Sequence, residues 1–98
     1  MTVRELDALF KKHRPVEYAH FERIEKKRST KRDLHAFLLL EELVAGDREM
    51  IASAEHDLIW LGTDVEALAK VITEDQLVEL VRCGVRFDGF NKTLAMFV

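Results

Sequence analysis

Five of the seven residues from Lys26 to Arg32 are cationic: Lys26, Lys27, Arg28, Lys31 and Arg32. Ammonium and guanidinium donors at this density suit a phosphate backbone or an acidic protein surface. The chain as a whole carries a net charge of −3, so the cluster is a local departure. Lys26, Lys27 and Arg28 are expected at the end of one helix, where the negative end of the dipole favours cations. Lys31 and Arg32 are expected in the first turn of the next, where it disfavours them. Something other than helix stability then places these two, such as phosphates or the acidic half of a second molecule. No helix-turn-helix, zinc-finger or RNA-binding signature accompanies the charge.

Ser53, His56 and Asp57 would share one face of a helix, offering a nucleophile, a base and an orienting acid. Working triads draw their members from separate elements and need an oxyanion hole, which nothing here supplies. If the segment is a strand, His56 and Asp57 point to opposite faces and the stretch reads as a polar connection. His13, His20, His35 and His56 lie seven, fifteen and twenty-one residues apart. None of these spacings puts two ligands on one side of an element, so no metal site and no cofactor are expected. Cys83 is the only cysteine. It excludes an intramolecular disulfide and reads as a small core hydrophobe at the end of an apolar helix.

The elements that position these residues follow from periodicity. Thr2 with Glu5 forms a capping-box pair opening a helix with Val3, Leu6, Leu9 and Phe10 on its apolar side. Pro15 disfavours helix at Arg14, so that helix should stop near His13 and a second should run from Pro15 to about Arg28. Thr30 with Asp33 marks a third start and Gly46 its stop. Leu34, Phe37, Leu38, Leu40, Leu43 and Val44 cover a wide arc of that helix, suiting either a central core position or a self-association surface. Phe37, Leu40 and Val44 are expected to be buried. Asp47 then opens a further helical piece with Met50, Ile51 and Ala54.

Leu58 to Leu61 fit either a continuing helix or a short buried strand. The strand is preferred because the chain ends in a hairpin. Val85 and Phe87 alternate with Arg86 and Asp88, Gly89 to Lys92 supply the turn, and Leu94, Met96 and Val98 alternate on the return. A lone hairpin is marginal in water, and residues 58–61 are the candidate third strand. Two short helices lie between, capped by Thr63 with Glu66 and by Thr73 with Gln76, the second stopped by Gly84. The expected fold is α+β: an N-terminal helical group followed by a small three-stranded sheet. A single domain over residues 1–98 is expected, helical to about 55 and mixed from about 56. On these strands Trp60 and Phe97 point away from the inward-facing Leu94, Met96 and Val98. Either the N-terminal helices cover that second face, or it is an exposed apolar patch for a partner or for dimerisation.

Composition narrows the class. An apolar fraction of 48% with 34% charged residues belongs to a folded globular chain rather than a disordered one. Residues 1–35 hold ten Lys/Arg against six Asp/Glu, while residues 36–98 hold five against twelve. The molecule is therefore polar, with a basic end and an acidic remainder that favour steering or head-to-tail association. No apolar run is long enough for a signal peptide or a membrane span, and a cytosolic location is expected.

The C-terminal third, with Cys83-Gly84-Val85-Arg86-Phe87-Asp88 and Leu94-Ala95-Met96-Phe97-Val98, resembles small uncharacterised proteins encoded by tailed phages and prophages. The resemblance implies a bacterial cytoplasmic setting and an accessory role, and transfers no functional residue. The function expected is non-enzymatic: an accessory protein that binds a protein partner or itself. The alternative is a nucleic-acid-associated factor using residues 26–32, and a small hydrolase is a distant third.

Overall fold

A computed structural model describes residues 1–97; Val98, expected to face inward at the end of the hairpin, lies outside them. Helix α1 spans Val3–Glu17. Its start is the Thr2–Glu5 box: the Glu5 N–H donates to Thr2 Oγ1 at 3.1 Å and the Thr2 N–H to Glu5 Oε1 at 3.0 Å. The helix does not stop at His13 but continues through Pro15. Proline near a helix end removes only one late hydrogen bond. Tertiary ion pairs secure that last turn, where the Glu17 carboxylate receives Arg82 and, at 2.9 Å, Arg23.

The expected second helix is absent. Ala19 takes a left-handed conformation, φ 63°, and donates its N–H to the Val81 carbonyl at 3.0 Å, turning the chain away from the helix axis. One 3-10 turn, Phe21–Arg23, follows, and residues 24–31 are irregular, with Ile24 buried. Helix α2, Arg32–Leu43, starts one residue later than expected, with Lys31 rather than Thr30 at the N-cap and no side-chain cap there. His35, Ala36, Leu39 and Leu40 are its buried face. Of the three residues expected inside, Leu40 is buried, while Phe37 and Val44 are partly buried against the core.

Among the described residues the sheet has four strands rather than three, in the order β1-β2-β4-β3, antiparallel throughout. Strand β1 is Ile51–Glu55, where a helical piece was expected; β2 is Leu58–Leu61, β3 Val85–Asp88 and β4 Thr93–Phe97. The sheet thus begins inside the part expected to be helical. All five β1 residues are exposed, so no alternation marks the strand. Its conformation comes from pairing with β2, through a two-residue turn at His56-Asp57 with His56 at φ 55°. Histidine is among the few side chains that tolerate this region. Gly62 is required at the far end of the pair, because a Cβ there would stand 2.0 Å from the Glu49 carbonyl oxygen.

Between β2 and β3 lie α3, Val65–Val71, and α4, Glu74–Arg82. The first is capped by Asp64 rather than Thr63, its carboxylate accepting from the Glu66 and Ala67 amides. The second keeps the Thr73–Gln76 box and ends at Gly84, φ 92°. Ile59, Leu61, Val85, Leu94 and Met96 form the inner sheet face and pack with Leu6, Phe10, Leu68, Leu77, Leu80 and Val81. Among the described residues no helix is long and apolar enough to cross a membrane.

Candidate functional site

The cationic segment is an irregular loop joined to α2, not a junction of two helices. His35, fully buried, anchors it. The Arg28 backbone N–H donates to His35 Nδ1 at 3.0 Å, which leaves the proton on Nε2 to face Glu79 Oε1 at 2.6 Å. The Arg28 guanidinium then bridges Glu42 at 2.8 Å and Glu79 at 3.2 Å. Arg28 is thereby neutralised within the fold. Lys27 donates to the Ile24 carbonyl at 2.7 Å and stands 5.2 Å from the Phe21 ring centroid. Arg32 reaches the Phe97 carbonyl at 3.4 Å, so the loop adjoins the end of β4. Among the described residues Lys26, Lys27, Lys31 and Arg32 make no ion pair, while the fifth cation of the cluster does. No local spacing announces Arg28's carboxylates, which lie fourteen and fifty-one residues away.

The second sheet face carries the other candidates. Cross-strand register aligns Arg86, Ala95, Trp60 and Ser53 in one row, and Phe97, Leu58 and Glu55 in the next. These side chains share the outer face, since Ile59, Leu61, Leu94 and Met96 occupy the inner one. Trp60 and Phe97 are both there, as their alternation indicates. The helices leave it open: Ser53, Glu55 and Phe97 are exposed, and Leu58, Trp60 and Arg86 half-buried. Trp60 Nε1 donates to Asp88 Oδ2 at 2.8 Å, so the indole spans β4, consistent with the complete burial of Ala95 beneath it. The Arg86 guanidinium stacks 4.9 Å from the Phe97 ring centroid. A depression of about 330 Å³ lies where Leu58, Trp60 and Phe97 meet Glu55, His56 and Asp57.

Asp88 holds this arrangement at the hairpin end. The Trp60 indole N–H, the Asn91 amide and the backbone N–H groups of Phe90 and Asn91 all donate to its carboxylate, bringing its pKa down to about 2. Leu58, Arg86 and Asp88 were not among the sequence candidates. Arg86 was within reach, because its alternation with Val85 and Phe87 places it on the face of Phe97.

The remaining polar groups do not assemble. Ser53 sits on β1 and His56-Asp57 in the following turn, and no hydrogen bond links the three among the described residues. His13 meets Glu74 at 2.7 Å and His20 meets Glu22 at 2.9 Å, each holding its carboxylate below the usual range. The described residues contain no cluster of three metal-ligating side chains. Cys83 is fully buried, and desolvation, aided by the charge of Glu79, pushes its thiol up to about 12. That keeps it protonated and unreactive. Compared with protein families, curated proteins and solved structures, the chain matches none, so its geometry is the basis for a functional reading.

Proposed function

We propose that the protein works by binding rather than by catalysis, through the outer face of its sheet. Its setting is the accessory, phage-type role implied by the resemblance of residues 83–88 and 94–98. One observation carries the reading: the helices cover a single face of the sheet, and the other presents Leu58, Trp60 and Phe97 side by side. An antiparallel sheet with one solvated face ordinarily places polar residues there. Here the two central strands place apolar and aromatic ones, the composition enriched at protein interfaces. The basic loop adjoins this face through Arg32, extending it toward an acidic neighbour. A nucleic-acid role for residues 26–32 is less well supported, because Arg28 is already held by Glu42 and Glu79.

Site-specific photocrosslinking tests the reading. A benzoylphenylalanine in place of Phe97 or Leu58 should yield protein adducts in the expressing cell, and one in place of the exposed Val16 of α1 should not. Equal adduct formation at all three positions would show that the outer face has no special role.

A further inference from the structure

The geometry points to a second copy of this chain as the occupant of the outer face. This deepens the binding reading above and rests on it. The strand order sets a charge pattern across the sheet. Glu55 lies on the edge strand β1 and Arg86 on the opposite edge strand β3, while Leu58, Trp60, Ala95 and Phe97 fill the two strands between. Neither edge charge has an ion-pair partner among the described residues, and Arg86 Nε is buried without an acceptor. In the rows of Glu55 and Arg86 the face therefore reads acidic, apolar, apolar, basic, while Asp88 at the hairpin end is taken up by Trp60 and Asn91.

That pattern is self-complementary under one symmetry operation. A two-fold axis along the strand direction, between β2 and β4, lays β3 of one copy over β1 of the other and β4 over β2. Phe97 of each copy then covers Leu58 of the other, and the two Trp60 indoles, each lying over its own Ala95, meet near the axis. The Arg86 guanidinium leans toward its own Phe97, which brings it within reach of Glu55 on the facing copy. Both unpaired charges are satisfied twice in an isologous contact. Aligned sheets packed about 10 Å apart need only such a shallow interdigitation. The depression beside Leu58 and Trp60, walled by Glu55, is where the stacked Phe97–Arg86 pair of the second copy seats.

Two other considerations fix the occupant and its strength. Glu55, Asp57 and Asp88 ring the face against Arg86 and, at its margin, Arg32, so the face itself carries no excess of cations for a phosphate backbone. Four short strands present a surface roughly 15–20 Å on a side. That is small for a stable interface, so the dimer dissociates with a constant on the order of 10–100 µM.

Sedimentation velocity on the purified chain, from about 5 to 500 µM, reads the association directly. The weight-average mass should rise from monomer to dimer. Arg86→Glu and Glu55→Arg, each placing like charges together, should each weaken dimerisation by about tenfold or more. Mixed one to one, these two variants should associate at least as tightly as the unaltered chain, because every pair in the mixed dimer is again opposite in sign. That rescue also shows that neither variant is misfolded. A chain that stays monomeric at the highest concentration, or variants that fail to associate when mixed, would overturn the inference. So would an oligothymidine that binds in a Phe97-dependent way. If the chain is monomeric while the crosslinks at Phe97 and Leu58 persist, a different protein occupies the face; if both fail, the binding reading falls with it.

Discussion

Replacing His35 with alanine removes the one buried ring that ties the cationic loop to the helices. Three losses combine. Deleting a fully buried ring of this size costs about 2–4 kcal/mol through lost packing and a residual cavity. The Arg28 N–H loses its acceptor, which costs about 1–2 kcal/mol if water cannot replace it. Glu79 loses the imidazole donor but retains the Arg28 guanidinium at 3.2 Å and partial exposure, so its share is small. Alanine returns about half a kcal/mol through helix propensity. The expected net loss is about 3–5 kcal/mol, a large part of the roughly 5–15 kcal/mol that holds such a domain together. His35→Phe keeps a ring and the edge-on contact with Phe21, but loses both hydrogen bonds, and should cost about 2–3 kcal/mol. Urea unfolding followed by Trp60 fluorescence measures both values. Hydrogen exchange at the Arg28 amide should lose protection in both variants, while Leu39, in the helix that carries residue 35, stays protected in the folded population. A loss under about 1 kcal/mol for His35→Ala, or an Arg28 amide still protected in it, would refute the anchoring role.

Three further outcomes follow from local geometry. Ala19→Gly should stabilise the fold by about 0.5–1 kcal/mol in thermal unfolding, because a left-handed φ of 63° is strained for alanine and free for glycine. Gly62→Ala should cost about 1–3 kcal/mol and expose the β1 amides to exchange, since its Cβ must displace the Glu49 backbone. Asp88, with a folded pKa of about 2 against an ordinary 3.8, binds fewer protons folded than unfolded. Its stabilising contribution is complete above about pH 4 and is lost as pH falls toward 2; the stability–pH slope over that window should flatten in Asp88→Asn.

The C-terminal hairpin was legible because the alternation of Val85 and Phe87 with Arg86 and Asp88, the turn residues Gly89 to Lys92 and the two-residue spacing of Leu94 and Met96 are local signals. The same alternation placed Trp60 and Phe97 on the outer face, and so located most of the candidate surface. The capping boxes at Thr2 and Thr73 were equally local, closing over three residues. What failed was set by partners distant in sequence. Local pattern cannot reveal β1, because none of its residues faces a core and its pairing with β2 alone makes it a strand. Pro15 reads as a boundary until Arg82, sixty-five residues on from Glu17, secures the turn that follows.

Residue type and near-neighbour spacing were enough for the α+β class, the position of the hairpin, the charge asymmetry and the existence of a cationic cluster. Three-dimensional packing takes Arg28 out of that cluster to Glu42 and Glu79, adds β1 as a fourth strand among the described residues, and lays the helices on one sheet face while leaving the other open. Those outcomes depend on which surfaces meet, and a contact between residues fourteen to sixty-five positions apart leaves no period in the chain to read.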